Sequence, residues 1–210
     1  IQNISLTSAR RATATTYTRL TTELSLDSEG DSGRRSAEAQ IQAIQADAPD
    51  VILVVGGTDR GTERPVIEMA KVVSMALQVL RNEDKPNLLF AGNIEARPQI
   101  AEILGQTTNL RAIDNVRPTL DTENLAGVQV ELENLYLQRK MSQLPGFDKL
   151  RNWSRFPPTP ASQSFEKTVA YIGRHNNLNV IGVNIGSGAT MVSTQSQDQH
   201  SLTIRSDAGV

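Results

Sequence analysis

The sequence predicts an α/β protein with a mainly parallel sheet flanked by helices, followed by a β-meander. Short apolar runs alternate with helical patterns through most of the chain, which is typical of strands joined by crossover helices. Glycine or a short polar residue follows these runs, as expected where a buried strand turns towards a helix. Near the carboxyl terminus the pattern changes to strand, turn and strand, which indicates antiparallel hairpins.

Composition limits the possible classes of function. The 210 residues are 38% hydrophobic, carry a net charge of -2 and include no cysteine, so disulfides and thiolate chemistry are excluded. The charge balance predicts neither a nucleic-acid nor a membrane partner, and two histidines cannot form an all-histidine metal site. No apolar run approaches the roughly 20 residues that span a bilayer, so we predict a cytoplasmic protein. Because the chain starts at Ile1, we expect it to be part of a longer protein.

The first part of the chain is predicted to contain strands and one helix. Residues 1–7 are predicted to form a short strand, and the β-branched run at residues 13–24 a strand or hairpin. Residues 27–33 are predicted to form a polar loop. The helix that follows is capped by Ser36, ends before Pro49 and has an apolar face made of Ala37, Ile41, Ile44 and Ala48.

The centre of the predicted sheet is the strand at residues 51–55, Val-Ile-Leu-Val-Val. Because every side chain of this strand is apolar, neither of its faces should be exposed to solvent, and helices should cover both faces. Gly56 and Gly57 allow a sharp turn, Thr62 can cap the next helix, and Pro65 suits its first turn. That helix has an apolar stripe that should face the sheet, formed by Val66, Met69, Ala70, Val73, Leu77 and Leu80.

Two further strand-and-helix units repeat this plan and complete a predicted α/β domain at residues 1–144. The second unit has a strand at residues 88–91, then Gly92 and Asn93, then a helix with Ile100, Ile103 and Leu104 on one side. The third has a strand at residues 110–116 and a helix that Asp121 or Thr122 can cap. Its inward positions are Leu125, Val128, Leu132, Leu135 and Tyr136.

A proline-rich connector at residues 145–161 is predicted to separate this domain from the rest of the chain. We expect Trp153 and Phe156 to dock the connector onto the domain. Residues 162–210 are predicted to begin another domain with a helix whose inward residues are Phe165, Val169 and Ile172. The helix is followed by three predicted strands, at residues 178–185, 189–194 and 201–205.

The turn between the first two of these strands is a candidate phosphate-binding hairpin. Successive backbone N–H groups in a tight turn can form an anion-binding nest, and glycine allows a phosphate to approach closely. The candidate residues are Asn184, Gly186, Ser187, Gly188 and Thr190. The alternative is an ordinary glycine-turned hairpin without a ligand.

Four segments together carry a family resemblance. They are Val-Val-Gly-Gly-Thr-Asp at 54–59, Phe-Ala-Gly-Asn at 90–93, Asp-Asn-Val-Arg-Pro at 114–118 and the Asn184 hairpin. In order and separation they resemble the accessory protein of coenzyme-B12-dependent glutamate mutase, a family called GlmL or MutL and unrelated to the mismatch-repair MutL. The hairpin by itself resembles the phosphate hairpin of actin, sugar kinases and heat-shock ATPases.

The resemblance implies an actin-like ATPase fold for the full-length protein, with a Rossmann-like domain and ribonuclease H-like lobes. It also implies Mg-ATP as the ligand of the full-length protein, an adenosylcobalamin-dependent mutase as its partner, and a reactivating or chaperone-like role. Residues 162–210 would then begin a second actin-like lobe.

Two positions depart from the family pattern: Asn184 replaces an aspartate, and Arg60 replaces a glycine. An amide lacks the negative charge that favours Mg²⁺. The resemblance also implies that the first phosphate loop lies before Ile1 and the adenosine-binding part after Val210. We therefore predict that this chain contains no catalytic residue, cofactor or metal and does not hydrolyse ATP by itself.

Two other functions remain open from the residues alone. If the three parallel strands are neighbours, a small polar or phosphorylated ligand could bind at the carboxyl edge of their sheet, where open α/β sheets usually bind ligands. The candidates there are Gly56, Gly57, Thr58, Asp59, Arg60, Asn93, Asp114 and Asn115. The plainer interpretation is that Asp59 and Asn93 only satisfy backbone groups of their loops. The third hypothesis is a protein-docking module without catalysis.

Overall fold

A computed structural model describes residues 4–26, 36–106, 109–156, 158–197, 199–206 and 208–210. The chain divides into two compact units, residues 1–11 with 20–128 and residues 12–19 with 129–210. Each unit contains one three-stranded sheet in its described part. The predicted loop at residues 27–33 lies outside the described residues.

The sheet of the first unit is parallel, in the order β1 (Val51–Val54), β2 (Asn87–Phe90) and β3 (Leu110–Ala112). Because both pairings are parallel, the three strands end at the same edge of the sheet. The predicted parallel arrangement is therefore confirmed. The prediction that residues 51–55 form the centre of the sheet is wrong, because β2 lies between β1 and β3 in the described sheet and β1 is only partly buried. Strand β3 is shorter than the predicted 110–116, although the N–H of Ile113 still donates to Phe90 O at 2.8 Å.

Helices flank this sheet, as the apolar patterns predicted. They are α2 (Ala37–Asp47), α3 (Arg64–Gln78) and α4 (Arg97–Leu104). Ser36 caps α2 by accepting a hydrogen bond from Ala39 N at 3.1 Å, and Pro65 lies in the first turn of α3. The helices and strands bury a common core that includes Val66, Ala70, Val73, Leu77, Leu88, Phe90, Ile100 and Leu104.

Two predicted helix caps are wrong. Thr62 does not cap α3, which begins at Arg64 with Glu63 in the cap position and no side-chain cap. Neither Asp121 nor Thr122 caps α5, because this helix begins only at Ala126. The N–H of Thr122 instead donates to Thr119 Oγ1 at 3.1 Å, so the polar residues there form a turn before the helix.

The strands predicted before residue 25 are also wrong where the structure describes them. Residues Ile4–Thr13 form helix α1, with Ala9 and Ala12 buried three residues apart on one face. After α1 the threonines bond to nearby backbone instead of pairing as strands. The hydroxyl of Thr16 donates to Thr13 O at 2.9 Å, and the hydroxyl of Thr15 donates to Ala12 O at 2.9 Å.

The second unit carries the predicted meander. Its antiparallel strands run in the order β4 (Val180–Ile185), β5 (Thr190–Ser196) and β6 (Gln199–Arg205). The unit also contains most of α5 (Ala126–Arg139), α6 (Phe147–Trp153) and α7 (Ala161–Asn176). Helix α7 packs on one face of the sheet, where Phe165 contacts a buried cluster of Met191, Leu202 and Ile204.

Three aromatic or aliphatic side chains of this unit are more exposed than predicted. Val169 is buried on the inward face of α7, as predicted. Ile172 is 42% exposed, because the buried residues in this part of the helix are Val169, Ala170 and Gly173. The expected docking of Trp153 and Phe156 is wrong, since their exposed fractions are 81% and 73%. Among the described residues, no helix has the length and apolar composition needed to cross a membrane.

Candidate functional site

The loops that follow the three parallel strands meet at the carboxyl edge of the first sheet. Residues 56–60 follow β1, Asn93 follows β2, and Asp114 and Asn115 follow β3. Hydrogen bonds join the three loops to one another. The structure therefore places all of the predicted sheet-edge residues at one edge, and their contacts indicate what each side chain can do there.

Asp59 connects all three loops through one carboxylate oxygen and its backbone. Its Oδ1 accepts hydrogen bonds from Ile94 N at 3.1 Å and from Asn115 Nδ2 at 2.9 Å. Its own N–H donates to Pro118 O at 2.9 Å. A carboxylate that accepts from a backbone N–H and an amide holds those groups in fixed positions. Asp59 thus fastens the loop after β1 to the loops after β2 and β3.

Asn93 and Asn115 are buried and use both ends of their amides. Asn93 Oδ1 accepts from Glu95 N at 2.9 Å, and its Nδ2 donates to Gly61 O at 3.1 Å. Asn115 Nδ2 donates to Gly57 O at 2.9 Å, and its Oδ1 accepts from Arg117 N at 3.0 Å. Together with Asp59 they form what we call the loop frame. These contacts match the plainer interpretation of Asp59 and Asn93, in which the side chains satisfy loop backbone.

The glycines of the edge permit the close packing of these loops. Gly57 has a left-handed φ of 72°, and a Cβ there would lie 3.1 Å from the Cβ of Asn93. A Cβ on Gly92 would lie 2.6 Å from the carbonyl oxygen of Gly56. The glycines of the Gly-Gly and Ala-Gly-Asn segments therefore allow the backbones of the loops after β1 and β2 to lie in direct contact.

Besides the two glycines, three of the predicted edge residues lie outside the loop frame. The side chain of Arg60 is exposed, its φ is 62°, and its N–H donates to Glu95 Oε2 at 2.9 Å. Asp114 is exposed and accepts from Arg97 Nη2 at 3.3 Å. Thr58 closes a turn, its carbonyl accepting from Gly61 N at 3.0 Å. Within the described ranges, no group of three or more histidine and acidic side chains is placed to hold a metal ion.

Sequence reasoning missed an ion cluster in this unit, centred on Glu123. The carboxylate of Glu123 accepts from Ser8 Oγ at 2.8 Å and from Arg11 Nη1 at 2.9 Å, and Arg117 Nη1 lies 3.2 Å away. Burial alone would raise the pKa of Glu123, but the hydrogen bonds from Ser8 and Arg11 and the charges of Arg11 and Arg117 outweigh it. The pKa of Glu123 is therefore held below its ordinary value.

Replacing Glu123 with glutamine is expected to lower the free energy of unfolding at pH 7 by about 1–2 kcal/mol, because the amide keeps an acceptor but loses the charge. A carboxyl with a lowered folded pKa contributes stability above its unfolded pKa of about 4.3 and loses it as the pH falls through the folded value. The difference between the wild type and E123Q should therefore shrink below about pH 4.

Urea unfolding at a series of pH values measures this difference. Exposed Glu102 on α4 provides the matched control, E102Q, for which we expect a small difference at every pH. A difference for E123Q that stays constant down to pH 3 would contradict the assigned role of the cluster.

The candidate phosphate hairpin joins β4 to β5 in the second unit. Asn184 pairs with Met191, Ile185 pairs with Thr190, and the N–H of Gly186 donates to Ala189 O at 2.9 Å. The side chains of Asn184 and Ser187 are exposed. Thr190 Oγ1 donates to Ala208 O, and Val210 N donates to Gly186 O at 3.0 Å. The predicted hairpin is therefore present, with one N–H of the proposed nest already bonded inside the turn.

The fold and these loops define a mixed α/β protein in which a parallel sheet with tightly joined strand-end loops precedes an antiparallel meander. A family model described as "MutL protein" matches residues 1–208. The chain belongs to this MutL family, the glutamate mutase accessory family that the sequence motifs resemble. The resemblance is thereby confirmed at the level of the family.

A curated relative matches over part of the chain. It is "Protein MutL" of Clostridium tetanomorphum, which is 25% identical over 126 residues, or 59% of this chain and 26% of the relative. The match thus spans about a quarter of the length of that relative. No solved structure matches the chain.

Proposed function

We propose that this chain is part of an accessory protein that binds an adenosylcobalamin-dependent mutase, with glutamate mutase as the first candidate, and assists it in a reactivating or chaperone-like role. The observation that carries the proposal is the family match across residues 1–208. The loop frame argues against a small polar ligand at the sheet edge, because its polar side chains already bond to one another and to loop backbone.

We propose further that the second unit begins an actin-like lobe of the longer protein. Strand β4 lies at one end of its sheet and pairs only with β5 among the described strands. Its outward side chains, Ile181, Val183 and Ile185, are 73%, 57% and 60% exposed. Edge strands of soluble proteins usually carry charge, proline or a bulge, and β4 carries no charged residue or proline. In such a lobe a further strand would pair with the backbone of β4, and another element packed on this face of the sheet would bury the three side chains.

Mg-ATP is the proposed ligand of the full-length protein, with Asn184, Gly186, Ser187, Gly188 and Thr190 as the phosphate-binding residues. The N–H of Gly186 is bonded to Ala189 O, and residue 184 carries no charge, so this chain offers only part of a nucleotide site. Phosphate, adenosine and metal contacts from elsewhere in the longer protein would have to complete it.

Mg-ATP is therefore expected to leave the melting temperature of the chain unchanged and to undergo no turnover. A ligand present at 100 times its Kd would add about 2.7 kcal/mol of stability, which differential scanning fluorimetry detects readily. The matched control is Gly186→Val, in which a bulky side chain fills the turn. A rise in melting temperature, or ATP turnover, that Gly186→Val abolishes would show that the hairpin binds nucleotide by itself.

The partner proposal is tested by titrating purified glutamate mutase with this chain in an isothermal titration calorimeter. A saturable heat with a Kd in the micromolar range or tighter is the expected result. If the titration gives only heats of dilution at micromolar concentrations of both proteins, the proposed function is refuted for this part of the protein.

A further inference from the structure

Four large apolar side chains are exposed on α6 and on the residues on either side of it. Leu144, Leu150, Trp153 and Phe156 are 51%, 52%, 81% and 73% exposed, and all belong to the second unit. We call this surface the connector patch. Exposed apolar side chains that stand singly are normal on protein surfaces. Several large ones close together indicate an interaction site.

The connector patch is basic although the chain as a whole is acidic. Residues 144–156 contain three cationic side chains, Lys149, Arg151 and Arg155, and one carboxylate, Asp148. Their net charge is therefore +2, while that of the whole chain is -2. Arg151 pairs with Asp148 at 3.3 Å, at the exposed surface of α6. The guanidinium of Arg155 lies over the ring of Phe156, 6.0 Å from its centre.

These residues have the composition of an interface centre. Tryptophan and arginine are the side chains that most often carry the binding energy of protein interfaces, and an aromatic ring with a guanidinium above it is already positioned before binding. Trp153 ends the seven-residue helix α6 and Phe156 follows it, and both are so exposed that truncating them removes little packing within the described chain.

We propose that the connector patch docks an acidic protein surface, with Trp153 and Phe156 entering an apolar groove whose rim carries carboxylates. The inference deepens the proposed function, on which it rests, by assigning this surface as the binding site for the mutase. The positive charge complements an acidic rim and would orient the partner during association. A membrane fits less well, because stable binding to anionic lipid normally needs a longer amphipathic helix or a denser basic cluster.

The test compares patch variants with matched controls in the calorimetric titration of glutamate mutase. Trp153→Ala with Phe156→Ala is expected to weaken binding on the order of 30-fold, as loss of two hot-spot aromatics does. Lys149→Glu with Arg155→Glu is expected to weaken binding on the order of 10-fold at low salt, with a smaller effect as salt increases.

The controls are Tyr171→Ala and Lys71→Glu, which alter an exposed aromatic residue on α7 and an exposed lysine on α3. Their affinities should stay within about two-fold of the wild type, and all variants should keep its melting temperature. If the wild type binds the mutase and the patch variants bind equally well, the docking site is wrong while the proposed function stands. If the wild type does not bind the mutase, both the docking site and the proposed function are wrong.

A parallel measurement separates protein from lipid as the occupant. The wild type and the Trp153→Ala/Phe156→Ala variant are sedimented with phosphatidylserine–phosphatidylcholine vesicles. Little wild-type protein should sediment with the vesicles. Vesicle binding that depends on the two aromatics, together with an unchanged affinity for the mutase, would overturn the proposal in favour of a membrane surface.

Discussion

Replacing Asn115 with alanine is expected to lower the free energy of unfolding of the first unit by about 2–4 kcal/mol. Asn115 is only 3% exposed, and its amide bonds to Gly57 O, Asp59 Oδ1 and Arg117 N. Removing it leaves these partners without their hydrogen bonds at a buried position, and an unsatisfied buried polar group costs its desolvation free energy. The loss of several partners places this variant above the usual range for polar substitutions.

Urea unfolding followed by circular dichroism measures this effect, with Asn82→Ala as the matched control. Asn82 is an exposed asparagine of the same unit, in a short 3-10 turn, so its replacement should change the unfolding free energy by less than about 0.5 kcal/mol. Equal stabilities for the two variants would mean that Asn115 does not hold the loops together.

Replacing Gly92 with alanine is expected to lower the free energy of unfolding by about 3 kcal/mol. The new Cβ would lie 2.6 Å from the carbonyl oxygen of Gly56 and 3.0 Å from its nitrogen, distances that a carbon atom cannot hold without displacing the chain. Both contacts are backbone atoms, so no side-chain rotation can relieve them. The loop after β1 would have to move, and the strain of moving packed backbone adds to the lost hydrogen bonds.

Gly188→Ala is the control for this substitution, because a Cβ at that position meets no atom within 4 Å. Thermal unfolding should show a much lower melting temperature for Gly92→Ala and a nearly unchanged one for Gly188→Ala. A Gly92→Ala protein as stable as the wild type would show that the loops after β1 and β2 are further apart than described.

The parallel sheet and the meander could be predicted because their patterns reflect burial. An unbroken apolar run such as Val51–Val54 indicates a strand of a parallel sheet, although β1 is only partly buried and the more deeply buried strand is β2. The helix after β1 carries an apolar stripe of the correct period. The Ser36 cap and the Gly186 turn are local signals that do not depend on the rest of the fold. Such features are encoded within a few neighbouring residues.

The errors occurred where local preference and packing disagree. The threonines after α1 favour strands by their branching, yet their hydroxyls bond to backbone carbonyls of the same turn. Tryptophan side chains are highly buried on average, yet Trp153 is exposed. Whether such a side chain has a surface to cover depends on distant parts of the protein, which local sequence does not reveal.

The candidate site was predictable in position but not in its bonding. Parallel strands that end in glycine and asparagine place Asp59, Asn93 and Asn115 at one edge of the sheet. Their mutual hydrogen bonds depend on how three loops fold over that edge. The Glu123 cluster was missed for a similar reason, because its contact with Ser8 joins residues 115 positions apart.

Amide hydrogen exchange, measured residue by residue by NMR, tests the loop frame most directly. Ile94 is 45% exposed, but its N–H donates to Asp59 Oδ1, and the N–H of Arg117 donates to Asn115 Oδ1. If the three loops form one bonded frame, both amides should exchange as slowly as the buried strand amide of Leu88, through opening of the whole unit. Exchange of Ile94 and Arg117 at the rate of unprotected surface amides would show that the loops move independently.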